Sequence, residues 1–323
     1  IVIMDMKGSA LYSNKFASVA NGIDVNFLES GSYIIKLLAD TGLVHVLATY
    51  KLTNPAYLVV NNAILYAVSE VVAHKNPKVS ALKIKNNYVL DFINEQEVEG
   101  SLPCHVSSKN NMVLVSCYGS GNLLHYHLNN GKIDPCYNNF KHLGKSINIE
   151  RQESPHAHQS VFHPNGKHVF VPDLGLDKIK VYTLKNNQLK PSPEYDVSVP
   201  AGHGPRHMVF NKKGDLGYVM NELSGDVAVI KMKDDRFNLY KLYGSLPESF
   251  SGVPSGAAIR IHPNGKYLYI GCLKGDLSQV QQWDISDFSN INHSTVYEYE
   301  FLAIRGAPSV GLGPDKKIYF FVF

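Results

Sequence analysis

Charged residues are few in this sequence, and no strong charge bias of either sign is present. Asp, Glu, Lys and Arg make up 18% of the 323 residues, and the formal net charge is +3. The lysines are scattered through turns, so the sequence lacks the basic patch of a protein that binds nucleic acid or a membrane surface. Hydrophobic residues reach 44%, which is enough for a full core and excludes a largely disordered chain. We therefore expect a globular protein.

Cysteine is also scarce. The four cysteines are widely spaced and include no CxxC pair, which indicates neither a zinc site nor a dense disulfide framework. No metal or organic cofactor is expected, and a reducing compartment, the cytoplasm, is the predicted location. The first apolar run ends at Asp5, too early for a signal segment or a membrane span. Because the chain does not begin with Met, a removed leader remains an open alternative.

Familiar catalytic motifs are missing as well. The sequence contains no GxSxG elbow, no HExxH pair, no P-loop and no dinucleotide fingerprint. Helical spacing of apolar residues is sustained nowhere, and no interdomain linker stands out. The lack of helical spacing predicts an all-β chain. The lack of a contiguous catalytic motif means that any active site is formed by residues far apart in the sequence.

What the sequence does contain is an internal repeat of about fifty residues. The segment 158–184 matches 206–232, and the match extends to the segment that begins at Ala257. Leading loops with a proline recur at spacings of 48 to 54 residues, at Pro55, Pro103, Pro155, Pro205, Pro254 and Pro308. Each unit reads as a loop followed by four strands with polar turns, which is typical of a propeller blade.

We therefore predict a β-propeller of four-stranded blades. Strict counting of the repeats gives about six blades, with the ring closed by N- and C-terminal strands that remove exposed sheet edges. Residues 1–323 are predicted to form a single domain, in which residues 1–20 stay unassigned.

Equivalent positions in the repeat are occupied by different types of side chain. Eight residues before the glycine of each first hairpin stand His158, Arg206 and Ala257. A second set follows the second strand of each blade, at Glu70, Tyr118, Leu174, Glu222 and Leu273. A purely architectural position would repeat one small or apolar residue, so this variation predicts a ligand site facing the central channel.

Structural explanations exist for the same residues. His156 and His158 could cap a loop or fill a polar gap, and Arg206 could form a scaffold ion pair with Glu222. Arg151 and Gln152 are interpreted as residues that hold the long loop before Pro155.

These segments also resemble a known family. The motifs NPAYL, LPCHV, SPHAH, GPRHM and NEL, in this order and spacing, resemble the lactonase family of seven-bladed propellers. That family includes the bacterial-type 6-phosphogluconolactonases and the carboxymuconate cyclases. The resemblance runs from about Asn54 to the C-terminus and implies seven blades instead of six.

The resemblance implies a catalytic set of His158, Arg206 and Glu222. The predicted substrate-binding residues around them are His156, His207, Glu70, His105, Tyr118 and Lys274. This chain departs from the family pattern at three places. Leu273 and Ser309 stand where the family has arginines, and Ala258 stands where it has an acidic residue.

The expected activity is hydrolysis of a phosphorylated sugar lactone, with a small anionic lactone or carboxylate as the substrate. Arg206 would bind an anionic group and stabilise the oxyanion, and either His158 or Glu222 would act as the base. Two alternatives remain open: a carboxymuconate-type cycloisomerase, and a non-catalytic propeller that binds a small anion or a protein.

Overall fold

The computed structural model describes side chains for residues 50–85, 89–246, 250–272 and 280–291. Further strands are described by their backbone alone, at 2–4, 10–13, 37–40, 43–46, 273–274, 277–279, 292–300, 309–312 and 318–321. Within these ranges the regular structure is strand, apart from three short 3-10 helices at Ala73–Lys75, Leu174–Leu176 and Pro193–Tyr195. None of the described helices has the length and apolar content needed to cross a membrane. The all-β prediction is confirmed.

Two hairpins precede the main sheets. Strand β1 (Val2–Met4) pairs with β2 (Ala10–Ser13), and β3 (Leu37–Asp40) pairs with β4 (Leu43–Val46).

Five antiparallel sheets then follow one another, each built from consecutive strands. The first contains β5 (Pro55–Asn61), β6 (Ile64–Ser69), β7 (Lys78–Ile84) and β8 (Leu90–Glu97). The second contains β9 (Pro103–Lys109), β10 (Met112–Cys117), β11 (Asn122–Asn129) and β12 (Lys132–Lys141). The third contains β13 (Val161–Phe162), β14 (His168–Asp173), β15 (Lys178–Lys185), β16 (Gln188–Pro191) and β17 (Val197–Ser198).

The last two sheets repeat the same order of strands. The fourth contains β18 (Pro205–Phe210), β19 (Leu216–Asn221), β20 (Asp226–Lys233) and β21 (Arg236–Gly244). The fifth contains β22 (Ser255–Ile261), β23 (Tyr267–Lys274), β24 (Leu277–Asp284) and β25 (Asn292–Glu300). A final hairpin pairs β26 (Ser309–Leu312) with β27 (Ile318–Phe321).

These sheets are arranged as propeller blades. The first strands of successive sheets contact each other, as β5 does with β9, β18 with β22, and β22 with β26. The predicted propeller blade is thereby confirmed in five sheets of the part of the chain that the structure describes; four are four-stranded, and in the third both β16 and β17 pair with β15. No described strand joins the two ends of the chain, so ring closure and the division into six or seven blades stay predictions. Most of residues 1–20 lie outside the described residues.

The second strand of a blade is buried on both faces. All six residues of β10 are buried; Val113 and Val115 belong to the apolar cluster shared with the first blade. Met112 and Leu114 belong to the cluster shared with the third blade. Burying one such side chain contributes about 1.5–3 kcal/mol. Stacking of the blades therefore explains the long apolar runs in the sequence.

One backbone hydrogen bond recurs in four blades. The residue after the second strand donates its N–H to a carbonyl of the leading loop, over 2.7–3.0 Å. The donors are Glu70, Tyr118, Leu174 and Glu222, and the acceptors are Asn54, Leu102, His156 and Gly204, in that order. The repeat thus places these four side chains at equivalent points at one end of the channel.

Candidate functional site

The first strand of a blade is interrupted where it begins. Register shifts of the β-bulge type separate Pro55 from Tyr57, Pro103 from His105, and Pro205 from His207. A bulge leaves one residue outside the ladder and re-aims its side chain. The residues at these bulges are Ala56, Cys104 and Arg206. The same β-bulge therefore directs a methyl group, a thiol and a guanidinium toward one cleft from three different blades.

Glu222 is the centre of this cleft. Its Oε2 forms an ion pair with Nε of Arg206 at 2.9 Å, and its Oε1 accepts a charge-assisted hydrogen bond from Nη2 of Arg151 at 2.5 Å. The Glu222 and Arg206 side chains are each 13% exposed, so the pair is largely withdrawn from water but not sealed. Arg206 also donates from Nη1 to the carbonyl of Ala257 at 2.9 Å. These bonds fix the plane of its guanidinium.

His158 lies beside the same carboxylate. Its Nε2 is 4.0 Å from Oε2 of Glu222, and its Nδ1 is 3.7 Å from Sγ of Cys104. Burial, together with the positive charge of Arg206, lowers the pKa of His158 well below its usual range. The imidazole is therefore neutral near pH 7 and can accept a proton.

The structure thus brings the three residues of the predicted catalytic set into one cleft. It also forms the Arg206–Glu222 ion pair of the structural alternative. Proximity alone does not distinguish the two interpretations, and the catalytic roles stay a prediction.

Arg151 is the functional candidate that the sequence interpretation missed. Its Nη2 contacts both Glu222 and the hydroxyl of Tyr118, at 2.5 and 3.2 Å. Although burial opposes its charge, the hydrogen bond and the charge of Glu222 raise the pKa of Arg151. The side chain is 41% exposed, so it stands at the rim. Its loop has no counterpart in the other described blades, and comparison of repeats therefore could not detect it.

Gln152 behaves as the sequence suggested and holds that loop. Its amide donates to the carbonyl of Leu174 at 2.8 Å and its side-chain oxygen accepts the N–H of Asn148. Gly175 lies against the loop so closely that a Cβ there would be 1.8 Å from the carbonyl oxygen of Ser154. The loop that carries Arg151 is therefore anchored on the third blade.

Two further predicted residues stack at the rim. The rings of Tyr118 and His156 are 4.4 Å apart and nearly parallel. His156 Nδ1 lies 2.8 Å from the carbonyl oxygen of Tyr118, and because a carbonyl only accepts, Nδ1 carries the hydrogen. Burial raises the pKa of Tyr118, against the effect of Arg151. Both side chains line the approach to Glu222.

Glu70 faces the cleft from the first blade. Burial raises its pKa, and the charge of Arg206 opposes that rise, which places the two groups within electrostatic reach. His105 and His207 lie deeper, in the channel, where their rings are 6.0 Å apart. The side chains of Leu273, Lys274 and Ser309 lie outside the described residues.

The geometry offers a neutral imidazole, a carboxylate held between two guanidiniums, and an arginine whose Nη2 has no partner among the described residues. Such a set can take a proton from water and stabilise a developing oxyanion. Among the described residues, no group of three or more His, Cys, Asp or Glu side chains could hold a metal ion.

A family model described as "Lactonase, 7-bladed beta-propeller" matches residues 29–277. A 6-phosphogluconolactonase of Bacillus subtilis is 35% identical over 228 residues, which cover 68% of this chain and 64% of that relative. The chain thus spans slightly less than two thirds of that relative's length.

Solved structures agree in fold. A candidate 6-phosphogluconolactonase of Bacteroides uniformis is 25% identical, with a TM-score of 0.81 over 93% of this chain and 87% of that one. A candidate 6-phosphogluconolactonase of Bacteroides fragilis, also 25% identical, gives a TM-score of 0.77 over 87% of this chain and 80% of the other.

Proposed function

The chain belongs to the family of seven-bladed propeller lactonases, and from that premise we propose that it hydrolyses a phosphorylated sugar lactone, 6-phosphogluconolactone. One observation carries the proposal. His158, Arg206 and Glu222 come from two successive blades and meet in a single cleft, where the imidazole is neutral and one guanidinium nitrogen has no partner among the described residues. The substrate is a small anionic lactone, which suits a cleft that contains the guanidiniums of Arg206 and Arg151.

In the proposed reaction a water oxygen attacks the lactone carbonyl carbon while His158 Nε2 takes a proton from that water. The carbonyl oxygen becomes an oxyanion beside the Arg206 guanidinium, which stabilises it by charge and hydrogen bonding. The tetrahedral intermediate then collapses, the ring C–O bond breaks, and the leaving alkoxide takes the proton back from His158. The product is the open-chain hydroxy acid.

Glu222 suits a supporting role better than that of the base. Both of its oxygens are engaged by arginines, Oε1 through a hydrogen bond from Arg151 and Oε2 through an ion pair with Arg206, so the carboxylate holds the two guanidiniums in place. When His158 becomes protonated, Glu222 lies 4.0 Å from its Nε2 and stabilises the imidazolium. It also orients the guanidinium of Arg206.

Arg151 offers a second cation in a chain that has Leu273 at the family's arginine position. It binds the same carboxylate as Arg206 and reaches it from the rim. We infer that Arg151 supplies the positive charge that the cleft lacks because Leu273 stands at the family's arginine position. The three departures from the family pattern then reduce the activity without abolishing it.

The test is hydrolysis of freshly generated 6-phosphogluconolactone by the purified protein, compared with the spontaneous rate. We expect acceleration, and we expect Arg206→Ala to lower kcat/KM by about 10²- to 10³-fold, the usual cost of losing one oxyanion donor. Arg236→Ala is the matched control, because Arg236 lies on the outer strand β21, above the ring of Tyr195. A folded protein without acceleration would contradict the proposal.

The alternatives separate in the same assay series. A cycloisomerase would convert a carboxymuconate and leave the sugar lactone unchanged, with His158 exchanging the proton at the α-carbon. A binding propeller would act on neither, and Arg206→Ala would then alter stability alone through loss of its ion pair with Glu222.

We also propose a cytoplasmic location, with neither nucleic acid nor a membrane as a partner. The four cysteines are all free thiols, which suits a reducing compartment. Fractionation of cells with an antibody against the full chain tests the location.

A further inference from the structure

Three polar rings, two of them buried and one half-buried, line the channel beneath the cleft. Tyr57, His105 and His207 occupy the position directly after the bulge in the first, second and fourth blades. Their ring centres lie 4.2 to 6.2 Å apart. His207 is 3% exposed, and neither of its ring nitrogens has a hydrogen-bond partner among the described residues. Buried polar atoms are rarely left unsatisfied, so we expect a ligand or a water molecule to satisfy this histidine.

The side chain of Arg260, from the fifth blade, lies next to these rings. Its Nη2 donates to the hydroxyl of Tyr57 at 2.6 Å, and its Nη1 donates to its neighbour's carbonyl, that of Ile259, at 2.8 Å. No carboxylate of the described residues forms an ion pair with it. Both acceptors are neutral, so the charge of Arg260 is not compensated there.

The fifth blade also leaves a smaller side chain on the channel. Ala258 stands seven residues before the hairpin glycine, as His207 does one blade earlier. A methyl group therefore replaces an aromatic ring two residues before Arg260. The guanidinium and the unpartnered imidazole thus border a stretch of channel wall with less bulk than in the other blades.

The arginines of the cleft and of the channel place positive charge around His207. The positive charges of Arg206 and Arg260 both act on His207, and together with burial they lower its pKa well below the usual range. At the rim Arg151 and Arg206 face the carboxylates of Glu222, Glu70 and Glu153, but none of the described carboxylates pairs with Arg260. The carboxyl of Glu70 has its pKa raised by burial. The unpaired positive charge of Arg260 favours an anion.

We propose that the channel wall formed by Arg260, His207 and Ala258 is an anion-binding subsite that takes a phosphate or carboxylate group. Arg260 supplies the charge, His207 donates its ring N–H, and the methyl group of Ala258 leaves room for the anion oxygens. The anion has two potential sources, the charged tail of a lactone bound in the cleft above or a free anion from solution. Only the first source rests on the proposed function.

Binding of inorganic phosphate to the full chain tests the subsite without any reference to catalysis. We expect phosphate to bind in calorimetry and to raise Tm, and we expect Arg260→Met to weaken the binding about 10- to 100-fold, as loss of a charged hydrogen-bond donor does. Arg236→Met, on the outer strand, should bind phosphate as the unaltered protein does. Equal binding by Arg260→Met, or no binding by the unaltered protein, overturns the proposal.

A second variant guards against misfolding of Arg260→Met. Ala258→Asp introduces a carboxylate beside Arg260, which should occupy the guanidinium and exclude phosphate while Tm stays the same or rises. Undiminished phosphate binding by this variant contradicts the assigned position. Loss of binding in Arg206→Ala but not in Arg260→Met would place the anion in the upper cleft and likewise overturn the subsite.

Kinetics with two substrates distinguish the sources of the anion. If the tail of the lactone fills the subsite, Arg260→Met raises KM about 10-fold or more for the phosphorylated lactone and leaves KM for the unphosphorylated lactone unchanged. This is the result we expect. If phosphate binds but both KM values are unchanged, the subsite holds a free anion. A protein that binds phosphate at Arg260 but hydrolyses neither lactone disproves the proposed function and leaves the subsite intact.

Discussion

The cleft combines side chains from repeated blade positions with one side chain from a unique loop. Only the repeated positions could be recognised by comparing the blades. His158, Arg206 and Glu222 occupy positions of the repeat, next to a hydrogen bond between the leading loop and the end of the second strand that recurs in four blades. Arg151 comes from a loop between β12 and the third blade that has no equivalent in the other described blades. The repeat supplies the frame and its reactive groups, while the unique loop supplies a second charge on the shared carboxylate.

The comparison predicts unequal losses, and the largest belongs to the repeated positions. His158→Gln keeps the size and polarity of the side chain but removes the base. We expect kcat to fall about 10²- to 10⁴-fold for lactone hydrolysis, the usual contribution of general acid–base catalysis. His74→Gln, a change on an exposed 3-10 helix, is the matched control. An unchanged kcat would remove His158 from the mechanism.

Loss of the loop charge should cost less. Arg151→Met deletes one of the two guanidiniums on Glu222 but leaves Arg206 in place. Because Arg151 is 41% exposed and solvent screens such pairs, we expect about a tenfold fall in kcat/KM. Arg151→Lys should recover part of the loss, since the charge remains. A fall as large as that of His158→Gln would show that the loop contributes as much as the repeat does.

The same contrast explains what could be predicted from the sequence. Regular proline spacing and buried apolar strands indicated the blades, and counting from the hairpin glycines indicated His158 and Arg206. Glu222 followed from its place after a second strand. Arg151 was interpreted as a loop support because a chain position without a repeat partner gives no information on where its side chain ends. Arg260 escaped notice for a different reason, since its partner Tyr57 is 203 residues away in sequence.

Substitution of Gly175 would displace the loop that carries Arg151 without changing Arg151 itself. A methyl group at this position would collide with the backbone carbonyl of Ser154, so Gly175→Ala must displace the loop. We expect a loss of about 1–3 kcal/mol in the free energy of unfolding, as for other overpacked sites, and kcat/KM at the level of Arg151→Met. Gly244→Ala is the control, because nothing lies within 4 Å of its added Cβ. Full activity in Gly175→Ala would show that the loop need not be held.

The last expected effect is the pH dependence of stability, and it concerns the buried histidines of the repeated frame. Burial and nearby arginines hold the pKa values of His105, His158 and His207 well below the usual range. Below about pH 6.5 the unfolded chain binds protons at these residues that the folded chain does not. The free energy of unfolding therefore falls as pH decreases, by up to about 1.4 kcal/mol per pH unit for each such histidine.

Urea unfolding between about pH 7 and about pH 5 measures this slope. His207→Gln should reduce it by the share of one histidine, whereas His74→Gln, which alters an exposed side chain, should leave it unchanged. Equal slopes for the two variants would mean that His207 is protonated as easily in the folded as in the unfolded chain. A bound anion in the channel would produce that result, because an anion stabilises the protonated imidazole. Repeating the series with and without phosphate therefore separates the empty channel from the occupied one.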